Sequence, residues 1–256
     1  MSEAAFHSPF TAFIVLVCLT SGACVGLWLR LPVSHVDSDS RDVVKSVLGL
    51  LSTMSAVLLS LLIASAKSTY DTQATEVQEI ATKVLLLDRM LAHYGPETAD
   101  ARVLLKQVVS SGVDRVWTKD GKPLGEVSAP QRYAIAELVN HIQMLTPRTD
   151  LQKAIQVQAL QITSLLGQVR MLMFAQASNS LSLPFLMVLV SWVTFLFVGY
   201  GVFARLNSTI VTALLVGALS VTGAIFLIIE LNRPYTGVLR IPDALMRNAI
   251  AMMGQP

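Results

Sequence analysis

Four stretches of the chain are apolar almost without interruption, near residues 10–29, 43–66, 182–203 and 209–229. A helix crosses the hydrocarbon of a bilayer with about 20 such residues, so each stretch predicts a transmembrane helix. Between the second and third the pattern changes. Residues 67–180 place apolar side chains at helical intervals among 12 basic and 11 acidic ones, the density of a solvated segment. Neither glycine nor proline occurs from Leu50 through Tyr94, so nothing local ends the second span at the bilayer surface. One helix is predicted from about Val43 to His93, stopped by Gly95-Pro96.

Beyond the membrane this helix carries Val77, Ile80, Val84, Leu87, Leu91 and Tyr94 at alternating intervals of 3 and 4, the spacing of a packed seam. Glu76, Glu79 and Lys83 read as its solvated face. Shorter helices are expected over 97–117 and 129–145, joined by a turn at Asp120-Gly121-Lys122-Pro123. A longer one over 149–177 can be capped by Thr149 or Asp150. Its seam is Leu151, Ile155, Ile162, Leu165, Val169 and Leu172, broken at Gln158. The predicted fold is an all-α membrane protein. Four transmembrane helices flank a helical cytoplasmic bundle that lies between the second and the third. Both seams are expected to pack inside the bundle, with packing between subunits as the alternative. The divisions are 1–66, the first helix pair; 67–180, the bundle; 181–230, the second pair; and 231–256, a cytoplasmic tail.

Composition agrees with this division. The chain is 53% hydrophobic and 14% charged, against about 25% charged in soluble domains, and its mean hydropathy is +0.59. The net charge of +2 leaves no basic footprint for nucleic acid. The opening MSEAAFHSP lacks the basic residues of a secretory leader, so the first run is read as a retained span although Ser21-Gly22-Ala23 mimics a cleavage site. Lys67, Lys83, Arg170, Arg233, Arg240 and Arg247 lie on one side, against Arg30, Arg41, Lys45 and Arg205 on the other. This bias puts both termini and the bundle in the cytoplasm of a bacterial inner membrane.

No catalytic set is visible. His7, His35, His93 and His141 are scattered, Cys18 and Cys24 lack metal spacing, and no phosphate or nucleophile motif occurs. No enzyme activity, metal or cofactor is expected. The polar content of the spans is more informative. In the second, Ser46, Gly49, Thr53, Ala56, Ser60, Ile63 and Lys67 form a mostly small or hydroxylated stripe. The fourth has a similar one at Thr209, Thr212 or Ala213, Gly217, Ser220, Gly223 or Ala224, and Glu230. Small residues let helices approach closely; turned to the axis of an oligomer, the same atoms would line a narrow pore. Gly22 and Gly26 of the first span are assigned to packing. No charge lies mid-span, which argues against a proton relay or voltage sensor. Glu230 and Arg233, just before Pro234, form either a structural ion pair or a charged pore mouth.

The string FLIIELNRPYTGVLR over 226–240, with the stretch 54–88, resembles a bacterial family of bestrophin-like membrane proteins. These have paired spans at each end, a helical region between and a closing motif Leu-Asp-Arg-Pro-Phe-x-Gly. Here it reads Leu231, Asn232, Arg233, Pro234, Tyr235, Thr236, Gly237, with Asn232 at the usual Asp. The resemblance implies kinship with bestrophins, oligomeric anion channels whose pore is built mainly by the second span. This chain lacks their aromatic neck in that helix, with Ser46, Thr53 and Ser60 there instead. The leading expectation is a homo-oligomeric ion channel in the lipid bilayer, passing inorganic ions along the second helix, with anions implied by the kinship. The alternative is a non-conducting scaffold or sensor whose bundle binds a partner.

Overall fold

The computed structural model describes residues 8–29, 38–117, 129–178, 183–204 and 207–254. The expected turn at Asp120–Pro123 and most of the linker after the first span lie outside them. The described residues form eight α-helices: α1 (Ser8–Trp28), α2 (Ser38–Tyr94), α3 (Ala99–Val116), α4 (Ala129–Gln143), α5 (Asp150–Ser178), α6 (Leu183–Phe203), α7 (Ser208–Leu231) and α8 (Ala244–Met252). No strand occurs among them. Four helices are long and apolar enough to cross a membrane: α1, α2, α6 and α7. The chain divides into two compact units, Met1–Thr69 with Leu181–Arg233, and Tyr70–Ser180 with Pro234–Pro256.

In the first unit α1 packs along α6 and α7. Small residues make the α1–α6 approach possible. A methyl on Gly26 would overlap the Val198 carbonyl, one on Gly22 would sit 3.0 Å from the Thr194 side chain, and one on Gly201 2.7 Å from the Ala23 carbonyl. The Gly22/Gly26 pair is therefore a packing device. Pro184 occupies the second position of α6, where its missing N–H removes no helical bond.

In the second unit, α2 continues without a break, and Gly95 ends it with a φ of 140°, a conformation that favours glycine. The Thr98 hydroxyl then reaches the Leu91 and Gly95 carbonyls, satisfying the helix end. Thr149 caps α5, accepting from the Gln152 N–H at 3.1 Å, while Gln152 Oε1 accepts from the Arg148 N–H at 2.8 Å. One apolar core joins Val84, Leu87 and Leu91 of α2 to Leu105 of α3, Ile142 of α4 and Ile162 of α5. A second gathers Val77, Val113, Met173, Tyr235, Ile241 and Met246. The α2 seam thus packs within the chain, as expected. The α5 seam is corrected. Leu151, Leu165 and Leu172 are exposed, and the inward row is Ile155, Ala159, Ile162, Val169 and Met173, with half-buried Leu166 between. Ala159, too small to stand out in the sequence, fills the gap assigned to Gln158.

Two further expectations change. The stretch after 231, read only as a tail, carries a helix that was not foreseen: α8, begun at Asp243 and packed through Met246 and Ala249. Glu76 is not on the solvated face. It is buried, its Oε1 accepting from Gln176 Nε2 at 2.7 Å, whereas Glu79 and Lys83 form the surface pair foreseen, at 2.8 Å.

Candidate pore-lining face

In the first unit the faces of α2 differ sharply. Leu48, Ser55, Leu62 and Ala66 turn inward, with Leu48 lying over Gly199 of α6. Ser46, Gly49, Thr53, Ala56, Ser60 and Lys67 are exposed, and Ile63, at the border, is half-buried. A side chain added at Gly49 would meet nothing within 4 Å. Of the four candidate spans α2 is the least covered: 11% of its most apolar stretch is buried, against 28–33% in the others. Covering one narrow side therefore leaves most of the second span available to something other than this chain.

The exposed side holds two rows. Beside the small and hydroxylated one, Val43, Val47, Leu50, Met54, Val57 and Leu61 form a bulky apolar row at intervals of 4 and 3. Sequence reading missed this second row because a continuous apolar run hides its own sidedness; only burial reveals it. The hydroxyls of the small row bond to their own helix: Ser46 to Asp42 O at 2.9 Å, Thr53 to Leu50 O at 2.8 Å and Ser60 to Val57 O at 2.8 Å. That satisfies each proton while leaving oxygen lone pairs outward. From Ser46 to Lys67 the row is about 32 Å long at about 1.5 Å per residue, close to the hydrocarbon thickness of a bilayer. Near its start Lys45 pairs with Asp42 at 3.4 Å, and Arg41 lies over the Phe203 ring at 5.7 Å from its centroid.

At the end of α7, Glu230 is only 2% exposed while Arg233 is half-buried. The Arg233 N–H donates to the Glu230 carbonyl at 2.9 Å. Asn232 donates its side-chain amide to Ile228 O at 2.9 Å, closing the helix end. On the fourth span Thr209, Thr212, Ser220 and Gly223 are exposed, and Gly217 is half-buried near Phe197.

A family model, the Bestrophin-like domain, matches residues 15–246. The chain belongs to the Bestrophin-like family. Solved structures agree on the fold. A crystal structure of a bacterial Bestrophin homolog from Klebsiella pneumoniae, carrying one substitution, superposes with a TM-score of 0.67 at 15% identity, covering 96% of this chain and 100% of that one. Another substituted form gives 0.63 at 16% identity, covering 97% and 99%. A structure described as a membrane protein gives 0.63 at 16%, covering 95% and 99%. No curated protein matches the chain.

The second half of the closing motif of this Bestrophin-like chain serves the second unit. Pro234 O accepts from the Ile241 N–H at 2.6 Å, folding the strand of chain between them into a loop. Tyr235 is buried edge-on against Trp117, ring centroids 5.7 Å apart at 86°, and Trp117 Nε1 donates to Ile241 O at 2.7 Å. Leu231 and Pro234 are buried and Gly237 is half-buried. The motif is thus read by packing: a proline to end the helix and an aromatic to plug the bundle core. Sequence reading also passed over Asp88, which is buried and takes both Nε and Nη2 of Arg102 at 2.9 and 3.0 Å.

Proposed function

We propose that the chain is one subunit of a homo-oligomeric ion channel. The small and hydroxylated row of α2 would face the pore, and the bulky row would meet the neighbouring subunit. The observation that carries this is the sidedness of α2. A helix with one narrow buried side, one smooth weakly polar side and one bulky apolar side fits a ring of helices better than a helix bathed in lipid. The Bestrophin-like kinship supports the same reading, because bestrophins are oligomeric channels whose second span lines the conduction path. On the bundle, exposed Leu151, Leu165 and Leu172 of α5 stand seven residues or a multiple apart, a second apolar row suited to subunit contact. Ions inside such a pore would pass methyl groups and hydroxyl oxygens, and meet a charge of the row only at its end, at Lys67. Each hydroxyl can swing its proton from the helix carbonyl to a passing anion at the loss of one local bond. We place the protein in the bacterial inner membrane with both termini and the bundle in the cytoplasm, following the distribution of Lys and Arg.

The test is reconstitution in planar bilayers. The expected result is single-channel current that Thr53→Trp and Ser60→Trp abolish while subunit number stays unchanged. Full current in both variants would reject the lining assigned to α2. A protein that is monomeric and silent across pH, voltage and tension would instead support the scaffold reading.

A further inference from the structure

A buried polar atom without a partner is rare in a folded protein and asks for an explanation. In the second unit two such atoms belong to one contact. Glu76 of α2 and Gln176 of α5 share a hydrogen bond, from Gln176 Nε2 to Glu76 Oε1 at 2.7 Å. The other oxygen of each group, Glu76 Oε2 and Gln176 Oε1, is buried and has no hydrogen-bond partner among the described residues. While the carboxyl is ionised both of these atoms are acceptors, so no bond can join them. One proton on Oε2 makes it a donor, and a planar acid and a planar amide can then close a ring through two bonds.

The charges around the contact favour that proton. On α2, Glu79 adds its like charge to Glu76 and is itself paired with Lys83 at 2.8 Å. On α5, Arg170 feels Arg115 of α3. In the segment after α7, Tyr235 is buried and feels Glu76, while Arg240 acts on Asp243. An ionised Glu76 is therefore a buried carboxylate with no ion pair among the described residues, a costly state that uptake of a proton relieves.

We propose that Glu76 and Gln176 form a closed acid–amide pair around one bound proton, with Gln176 Nε2 donating to Glu76 Oε1 and Glu76 Oε2–H donating to Gln176 Oε1. The pair ties α2 to the last turn of α5, 100 residues away in sequence. Loss of the proton to water turns Oε2 into an acceptor and breaks one of the two bonds. Burial raises the pKa of Glu76, so the tie is closed at low pH and loosens as pH rises through that raised value. The second unit thus carries a proton sensor, whether or not the protein conducts.

The experiment is infrared difference spectroscopy of the full-length protein in nanodiscs, titrated from pH 4 to pH 9. A neutral carboxylic acid absorbs apart from carboxylates and amides. The parent is expected to show a neutral-acid band that persists above the ordinary glutamate range and is absent from Glu76→Gln. The double variant Glu76→Gln with Gln176→Glu exchanges acid and amide, and should restore the band. Gln176→Leu keeps the site buried without the amide, and should move the band to the higher frequency of a weakly bonded acid. Hydrogen exchange gives a second reading. The last two turns of α5 should exchange alike in the parent and Glu76→Gln at pH 4, and at least threefold faster in the parent at pH 8. A carboxylate bridged to Gln176 by water would show no neutral-acid band. That result, a band unmoved in Gln176→Leu, or exchange equal in the two proteins at both pH values would overturn the proposal.

Discussion

Glu76 lies on the inward face of α2 with one carboxylate oxygen hydrogen-bonded by Gln176 and Tyr235 close enough to feel its charge. Burial raises its pKa above 4.5; the Gln176 hydrogen bond opposes this and the neighbouring Glu79 adds to it. The Tyr235 hydroxyl is raised as well, by burial first and then by Glu76. For a carboxyl raised in the folded state, the fold binds the proton more tightly than the unfolded chain does. Stability from this group is therefore greatest at low pH and is lost as pH rises from about 4.5 through the folded value. Glu76→Gln mimics the protonated form permanently. Thermal unfolding should show the variant and the parent nearly alike at pH 4, and the variant increasingly the more stable towards pH 7. A constant difference across that range would mean the carboxyl is ionised alike in both states.

The sequence places Glu76 beside Glu79 and Lys83, and local spacing makes all three look solvated. Its true environment is set by Gln176, 100 residues away, which no local pattern encodes. The same reason hid the Asp88–Arg102 pair. The close approach at Gly22 and Gly26 was legible from their spacing, whereas their counterpart Gly201 on α6 was not.

At the scale of elements, the four spans, the uninterrupted length of α2 and the positions of α3, α4 and α5 followed from apolar period and helix stops. The inward face of α5 did not. Leucines at 151, 165 and 172 outweigh Ala159 in hydrophobicity, yet a helix packed closely to others selects by size as well as apolarity. The missed helix was α8, whose start signal was present: Asp243, with Arg247 one turn later bonded to it. The Arg247 guanidinium beside Asp243 holds that carboxyl below its ordinary value. Just after α8, Met253 is 2% exposed in the core with Leu87, Leu105 and Ile142, and its carbonyl accepts from Lys106 Nζ at 3.3 Å. Asp88 Oδ2 accepts the following N–H, of Gly254, at 3.2 Å. Met253→Ala should therefore cost about 2–5 kcal/mol, as in an interior core, read from denaturant unfolding of the protein in micelles. A loss below about 0.5 kcal/mol, the scale of surface substitutions, would mean this end of the chain is only loosely seated.

At the scale of the whole molecule, the sequence divided apolar spans from a charged helical segment and found the element that belongs to both. It could not show which side of α2 is covered, because that depends on α6 and on the bundle rather than on α2 itself. Tracing the covered positions makes the point. In the second unit Gln73, Val77, Val84, Leu87, Leu91 and Tyr94 are buried at intervals of 3, 4 or 7, with Glu76, Ala81 and Asp88 buried beside them.

Length in such a helix acts as an angle. Each residue turns the chain by about 100°, so one residue inserted between Val77 and Val84, inside the second unit, turns Val84, Leu87 and Leu91 by that amount relative to Val77. Seven residues make nearly two whole turns, with an error of about 20°. A single-alanine insertion there should fail to fold as one cooperative species in thermal scans; a variant that melts like the parent would mean the core tolerates the rotation. Eleven residues come equally close to whole turns, so it is phase rather than length alone that an insertion in α2 has to keep.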